Sequence, residues 1–180
     1  MLSDVEIRGL LDDGLMRIEP FDEAMLRPSS YALRLGQRIL ELARFSAVDV
    51  ASADTRSDFE PLATTDDRVV LGGGGFFLAA SLETVALSEQ VSGLLSLGSR
   101  FARLGLVGNG GAALVQAGFG QDSPTAVTLE LLNATPRPVA LRVGMPFCHL
   151  VLFRHRTAAL VKRARRSADL GPHPSPARFP

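Results

Sequence analysis

The sequence predicts a mainly β protein, arranged as a β-sandwich or a β-barrel. Its 180 residues fit one domain and are enough to bury a substantial core. Short apolar runs follow one another along most of the chain, and Gly, Pro and other turn residues separate them. Many short strands with few helices are typical of sandwiches and barrels.

The first element in the chain is expected to be a helix. Ser3 and Glu6 have the spacing of a capping box, and Gly14 can end the helix. The apolar residues expected on its buried face are Val5, Ile7, Leu10 and Leu11.

The rest of the domain, which we expect to extend over residues 1–153, is predicted to be strands and turns. The predicted strands cover residues 15–18, 31–35, 38–42, 69–71, 76–80, 84–87, 91–96, 115–117, 126–132, 139–141 and 147–153. Residues 43–67 are polar and predict a long surface excursion. The glycine run at 72–75 lacks the Gly-Lys-Ser/Thr ending of a phosphate-binding loop, which favours a hairpin turn.

Residues 154–180 differ in composition from the domain and predict a basic, Pro-rich tail that is partly disordered. Its first half carries Arg154, Arg156, Lys162, Arg163, Arg165 and Arg166. Two interpretations stay open, a solvated tail and a tail that grips phosphate.

Composition excludes several classes of function. The formal net charge is zero, so the overall charge does not indicate binding to nucleic acid or to an anionic membrane. No run is long and apolar enough to span a bilayer, and the acidic N-terminus is unlike a secretory signal, so we expect a cytoplasmic protein. Lys162 is the only lysine among 19 basic residues. This preference for arginine fits phosphate binding, but it fits a GC-rich genome equally well.

Metal and thiol chemistry are also constrained. Cys148 is the only cysteine, which excludes an intramolecular disulfide and a CxxC zinc site, and with it the zinc nucleobase deaminases. The three histidines do not have the spacing of a ligand cluster. We expect His149 to be a strand residue with a hydrogen-bonded ring and Cys148 to be a core thiol, with His155 and His173 in the tail.

Glu130 is the most informative single residue. It is a lone carboxylate in the apolar run Thr125-Ala-Val-Thr-Leu-Glu-Leu-Leu-Asn133. In a buried strand, desolvation would raise the pKa of this carboxyl towards neutrality and make it a usable proton shuttle. The alternative is an edge strand whose polar face happens to carry one Glu.

Several segments, taken in order, resemble the dCTP deaminase branch of the dUTPase superfamily. The similar segments are Met1-Leu-Ser-Asp-Val-Glu-Ile-Arg8, Ile18-Glu-Pro-Phe-Asp22, Arg27-Pro-Ser-Ser-Tyr-Ala-Leu-Arg-Leu-Gly36, Phe77-Leu-Ala-Ala-Ser-Leu-Glu83, Ala102-Arg-Leu-Gly-Leu106, Thr128-Leu-Glu-Leu-Leu-Asn133 and Pro138-Val-Ala-Leu-Arg-Val-Gly-Met145. The third of these is similar to the family pattern Pro-x-Ser-Tyr-Asp-Leu-Arg-Leu-Gly.

The resemblance implies a dUTPase-like distorted β-barrel with a short N-terminal helix and one short helix near 99–104. It also implies a homotrimer with active sites between subunits. Members deaminate dCTP to dUTP and ammonia, with Mg²⁺ on the substrate triphosphate and no zinc. The implied catalytic residues are Glu130 as proton shuttle, Ser99 to position the water and Arg103 to order the site. Ser99 and Arg103 are four residues apart, so a short helix would present both on one face.

The implied nucleotide-binding residues are Ser99, Arg100, Ala112 and Gln116, and several positions there depart from the family pattern. Gly98 stands where members have a triphosphate-binding Arg, and Arg100 replaces a second Ser. Leu114 replaces an Arg or Gly, and Gln116 replaces an aspartate that contacts deoxyribose. An amide cannot accept a proton at neutral pH, so we do not expect release of pyrophosphate. Residues 121–124 resemble an insertion, and the C-terminal lid with Tyr and Gln is missing.

Three functional interpretations therefore remain. The first is a dCTP deaminase with unusual phosphate recognition. The second is a catalytically impaired homologue that binds a nucleotide or acts as a regulatory trimeric scaffold. The third is a diverged hydrolase that acts on another nucleotide. An enzyme requires Glu130 close to Ser99 from an adjacent strand or subunit.

Overall fold

A computed structural model describes residues 1–45, 47, 58–109 and 112–160, and within these ranges the protein is mainly β. The helices are α1 (Asp4–Asp12), a 3₁₀ turn (Glu23–Met25) and α2 (Ser99–Ala102). The strands are β1 (Met16–Glu19), β2 (Leu26–Arg27), β3 (Ser30–Leu42), β4 (Phe59–Pro61), β5 (Arg68–Leu71), β6 (Phe76–Leu87), β7 (Val91–Leu97), β8 (Leu106–Gly108), β9 (Leu114–Val115), β10 (Thr125–Asn133), β11 (Val139–Arg142) and β12 (Pro146–Arg154). None of the helices in these ranges has the length and apolar character that a bilayer crossing requires.

Helix α1 confirms the predicted capping box. The Ser3 hydroxyl accepts from the Glu6 backbone N–H, and the Glu6 carboxylate accepts from the Ser3 N–H at 2.8 Å. Ile7 and Leu10 are buried, as expected. The prediction was wrong for Val5, which is 73% exposed. Val5 lies two residues before Ile7, and residues that close together in a helix point to different faces.

Ten strands form one sheet that curls on itself. The order along its main path is β8-β10-β6-β3-β12-β7-β9, while β1 adds to β6 and both β2 and β4 add to β3. β8, at one end of this path, approaches β7, which is next to the other end, since a Cβ on Gly108 of β8 would lie 3.4 Å from the Leu97 side chain of β7. β5 and β11 form a separate two-stranded ribbon. The curled sheet confirms the mainly β, barrel-like architecture.

Two pairs of predicted strands are in fact single long strands. Residues 31–35 and 38–42 belong to β3, and residues 76–80 and 84–87 belong to β6. The pairing of β3 with β6 shifts register between Leu35 and Ile39, so β3 is irregular near Gly36 without ending there. The predicted strands in β6 left out residues 81–83, but Ser81 and Glu83 are both buried and hydrogen-bonded inside the sheet.

The Ser81 hydroxyl explains how the sheet absorbs a second irregularity. The pairing of β10 with β6 shifts register between Ala126 and Thr128. At this point the Val127 N–H donates to Ser81 Oγ at 2.8 Å, and the hydroxyl itself donates to the Glu83 carbonyl at 2.6 Å. A backbone N–H that the ladder cannot pair is thereby satisfied by a side chain.

The glycine run at 72–75 corrects another expectation. The Gly75 N–H does bond to the Gly72 carbonyl, so the segment turns, but it is not a hairpin. The strands on either side of it, β5 and β6, pair with β11 and with β10 and β3 respectively. The excursion predicted at 43–67 contains the short strand β4, and residues 46 and 48–57 lie outside the described ranges.

The described residues that follow the last strand stay in contact with the domain. β12 ends at Arg154, and the following backbone is still attached to the domain, since the N–H groups of His155 and Ala159 donate to the Gln90 and Glu89 carbonyls at 2.8 Å. The His155 ring also bonds to the Ser92 hydroxyl at 2.9 Å, so this histidine packs on β7. Most of the predicted tail, including His173, lies outside the described residues.

At Gly36, β3 passes very close to the backbone of β6, and this close approach should make the protein sensitive to any side chain at that position. A Cβ at Gly36 would lie 2.6 Å from the Ala80 carbonyl oxygen, so Gly36→Ala should destabilise the protein by about 1–3 kcal/mol through overpacking. Gly9→Ala is the matched control, because a Cβ there has no neighbour within 4 Å and alanine favours a helix interior by about 0.5–1 kcal/mol. Urea unfolding should therefore move the two midpoints in opposite directions. Equal midpoints would contradict this account of the close approach.

Candidate active site

Glu130 lies within β10, an interior strand of the sheet between β6 and β8. Its neighbours in the strand, Leu129 and Leu131, are fully buried, whereas Glu130 is half-buried and shares the more open face with Thr128 and Leu132. The structure thus combines the two alternatives, since the strand is interior but the carboxylate lies on its more open face. In the described part of the chain no group hydrogen bonds to this carboxylate or forms an ion pair with it. A protein that acts only as a scaffold would leave Glu130 exposed or tied up in an ion pair, and within the described ranges Glu130 is half-buried and has no ion pair.

Asn109 holds the strand at Glu130. Its backbone N–H donates to the Glu130 carbonyl at 2.8 Å, and its side-chain amide donates to the Thr128 carbonyl at 3.3 Å. Asn109 is 4% exposed and has φ of 50°, a left-handed conformation that asparagine tolerates better than most residues. These bonds fix the backbone on both sides of Leu129 and so fix the origin of the Glu130 side chain.

Helix α2 positions the other predicted catalytic residues. Phe101 is buried and packs on Phe147 with ring centroids 4.5 Å apart, which anchors the helix to β12. The Arg103 N–H donates to the Ser99 carbonyl at 3.1 Å, so these residues are one helical turn apart, as predicted. Both are exposed at the surface. The predicted helix at 99–104 is confirmed, although its regular part ends at Ala102.

Arg100 turns towards β12. Its Nη2 donates to the Pro146 carbonyl at 2.6 Å, and its guanidinium lies 4.7 Å from the centre of the Phe101 ring. These contacts place the Arg100 side chain on the β12 side of the helix.

A cavity of about 260 Å³ lies beside α2. Ser99 and Arg100 line it, together with Arg27, Ala32, Gly98, Phe101, Pro146, Phe147, Cys148 and His149. Ala32 stands where the family pattern carries an aspartate. Sequence reasoning missed Arg27 and assigned no site role to His149. Strand pairing brings these residues together, and no local pattern in the sequence indicates it.

His149 has the hydrogen-bonded ring that was predicted, with Nδ1 3.0 Å from Ser30 Oγ. Burial and then the positive charges of Arg27 and Arg100 hold the pKa of the ring below its usual value. The neighbouring Cys148 is buried as expected, and burial raises the pKa of its thiol to about 12. Across the described residues, no three His, Cys, Asp or Glu side chains come together as metal ligands.

The remaining predicted site residues do not line this cavity. β8 begins at Leu106 opposite Asn133, and Asn109 lies opposite Glu130. Because α2 precedes β8, the helix lies towards the Asn133 end, and Glu130 lies about 10 Å further along β10 at the usual strand rise. Arg103, Glu130, Ala112 and Gln116 are all absent from the cavity lining. Ala112 and Gln116 flank β9, which pairs with β7, and both are exposed.

Comparisons with known proteins agree with this architecture. The sequence profile of the dCTP deaminase-like family matches residues 1–155. A protein of Parafrankia sp. named "dCTP deaminase, dUMP-forming" is 35% identical over 97% of this chain and 89% of its own. A protein of Streptomyces coelicolor with the same name is 37% identical over 86% and 80% of the two chains.

A solved structure shows the same fold. The 2'-deoxycytidine 5'-triphosphate deaminase of Agrobacterium tumefaciens superposes with a TM-score of 0.61 at 21% identity. The match covers 84% of this chain and 46% of that one, so the chain spans about half the length of the solved protein. The profile match and the identities, over most of the chain, establish that this protein belongs to the dCTP deaminase-like family.

Proposed function

We propose that this protein is a cytoplasmic, zinc-independent dCTP deaminase that converts dCTP and water to dUTP and ammonia. The observation that carries the proposal is Glu130, a half-buried carboxylate without a partner among the described residues, held on an interior strand in a chain of this family. The substrate would enter as its Mg²⁺ complex, with the metal on the triphosphate.

The chemistry assigned to Glu130 is proton transfer. The Ser99 hydroxyl holds a water molecule near C4 of the cytosine. Glu130 takes a proton from that water as the water oxygen attacks C4. The proton passes to the ring nitrogen N3, and a tetrahedral intermediate forms. Glu130 then transfers the proton of the new C4 hydroxyl to the 4-amino group, so the C4–N bond breaks, ammonia leaves and the C4 carbonyl of uracil forms. Arg103 orders Ser99 and the substrate.

We further propose a homotrimer in which neighbouring subunits share each site. This would bring Ser99 of one subunit close to Glu130 of another, since the two do not line one cavity within the chain. Two cross-strand apolar pairs near these elements support association. Leu94 and Leu114 are 40% and 55% exposed, and Val107 and Leu132 are 48% and 38% exposed.

The name of the relatives favours a second candidate product. The dUMP in that name implies that the triphosphate is also cleaved. In this chain Gln116 occupies the position of the family's aspartate and cannot act as a base. We therefore favour dUTP as the product, and a dUMP-forming enzyme is the alternative. A catalytically impaired homologue remains the other alternative, because Gly98 and Leu114 alter the nucleotide-binding segment.

An assay of the purified protein with dCTP and Mg²⁺ tests the proposal. Ammonia release and chromatographic separation of dUTP, dUMP and pyrophosphate should give equal amounts of ammonia and dUTP. Ammonia with dUMP and pyrophosphate would identify the dUMP-forming alternative. If high enzyme concentrations release no ammonia, the protein is not a dCTP deaminase, and stabilisation by nucleotides in thermal unfolding would then indicate a binding homologue.

A further inference from the structure

Gly98 lines the cavity beside α2 at the position where the resemblance implies a triphosphate-binding arginine, and its surroundings are crowded. A Cβ at this position would lie 3.3 Å from both the Phe101 ring and the Phe147 carbonyl oxygen. Those groups belong to the aromatic pair that anchors the helix. A side chain at position 98 would need these neighbours to shift by a few tenths of an ångström, and glycine itself carries no charge, so positive charge for a phosphate has to come from other residues.

Two arginines from other elements supply that charge. Arg27 of β2 donates from Nη1 to the Ala24 and Leu26 carbonyls at 2.6 and 3.0 Å, and Arg100 is fixed in the same way on Pro146. Backbone acceptors therefore hold each guanidinium at the cavity. Throughout the described ranges, neither arginine pairs with a carboxylate, and the cavity lining contains no acidic side chain. The remaining N–H groups of both guanidiniums can bind an anion.

His149 lies in the same cavity and completes a cationic set. Around its ring, β3 presents Ser30 and Ala32, β7 presents Ser96 opposite it, and Arg27 and Arg100 are the charged groups that act on it. The two arginines disfavour the protonated ring, which is one cause of its lowered pKa. An anion between these three groups would offset their repulsion and favour proton uptake by the ring.

We propose that this cavity binds the phosphate chain of the nucleotide through Arg27, Arg100 and His149, and that His149 takes up a proton when the phosphate binds. The assignment rests on the proposed function, since it takes the ligand to be a nucleoside triphosphate. It assigns phosphate recognition to two residues outside the helix, and it makes binding dependent on pH. Binding strengthens as pH falls, because a lower pH supplies the proton that the bound state needs.

Calorimetric titration with inorganic tripolyphosphate tests the subsite in the full chain. Arg27→Gln should weaken binding by at least about 10-fold at every pH, since one charge-assisted contact is lost. Arg137→Gln, an exposed arginine outside the cavity, is the control and should bind like the wild type. Equal affinities for Arg27→Gln and the wild type would refute the proposal.

His149→Gln isolates the protonation step. The glutamine amide can still hydrogen bond to Ser30 but cannot be protonated. Tripolyphosphate itself also ionises with pH, but this affects the wild type and His149→Gln equally, so the difference between their pH profiles reports on His149. Between pH 8 and pH 6 the wild type should gain several-fold in affinity over His149→Gln. Titrations in two buffers of different ionisation enthalpy should show extra proton uptake by the wild type alone. Identical pH profiles would overturn the role of His149.

Competition between dCTP and tripolyphosphate tests the phosphate subsite separately from the deaminase activity. Saturation of the Glu130→Gln variant with dCTP should block tripolyphosphate, and continued binding would mean that the cavity is not the nucleotide's phosphate site. If the wild type does not deaminate dCTP but tripolyphosphate binds in the cavity, only the proposed deaminase activity is refuted. If tripolyphosphate does not bind in the cavity but the wild type deaminates dCTP, only the phosphate subsite is refuted.

Discussion

Replacing Glu130 with glutamine should abolish deamination, with a fall in turnover of about 10³-fold or more while the protein stays folded. The amide matches the carboxylate in size but can neither take a proton from water nor return one to the cytosine, and positioned acid–base groups contribute about 10²–10⁴-fold. Glu130 has no hydrogen-bond or ion-pair partner among the described side chains, so the substitution should hardly change stability. The measurement is the steady-state rate of ammonia release from dCTP.

Two further variants complete this test. Glu60→Gln changes an exposed carboxylate on β4 and should keep wild-type activity. Ser99→Ala should also be inactive, but co-expression with Glu130→Gln should restore activity, to about a quarter of the wild-type value for random assortment in a symmetric oligomer. Wild-type turnover by Glu130→Gln would exclude Glu130 as the proton shuttle. Mixed oligomers without activity would show that the site is not shared between subunits.

The sequence predicted the class of fold well because the strand pattern is repeated many times. Errors arose where a polar or flexible residue has a tertiary role. The predicted strands stopped on either side of Gly36, yet β3 continues through this residue, and glycine is needed there because the strand passes close to the Ala80 carbonyl. Residues 81–83 were likewise left out of the predicted strands, and sequence alone does not indicate that the polar groups of Ser81 and Glu83 are satisfied inside the sheet.

The candidate site was predictable only in part, for a similar reason. Glu130 stands out locally as a charge among apolar neighbours, and Ser99 and Arg103 follow from the resemblance to the family. Arg27 and His149 are separated by more than a hundred residues and meet only because β2 and β12 both pair with β3. Such long-range pairing cannot be derived from the local pattern of either strand.

The buried ion pair of Arg34 and Glu83 should be among the most sensitive points for stability. Glu83 is fully buried, and its two oxygens accept from Arg34 Nε at 2.6 Å and from the Arg34 backbone N–H at 2.8 Å. These bonds raise the pKa of the Arg34 guanidinium. Arg34 also reaches Asp22 at 3.3 Å, whose backbone N–H donates to the Tyr31 hydroxyl. The network thus joins β6, β3 and the segment that follows β1.

Glu83→Gln should lower the free energy of unfolding by about 3–5 kcal/mol, because it removes the buried counter-charge of a largely buried guanidinium and leaves only the partly exposed Asp22 carboxylate, 3.3 Å away. For a domain of this size we expect a fall in Tm of roughly 6–20 °C, measured by calorimetry and checked by urea unfolding. Glu23→Gln is the control, since the ion pair of Arg8 and Glu23 is exposed and should contribute no more than about 1 kcal/mol. The double variant Arg34→Met/Glu83→Leu should lose less stability than the sum of the single changes, because it leaves no buried charge unpaired and Asp22 is partly exposed to solvent. Similar Tm values for Glu83→Gln and Glu23→Gln would show that the buried pair contributes no more than an exposed one.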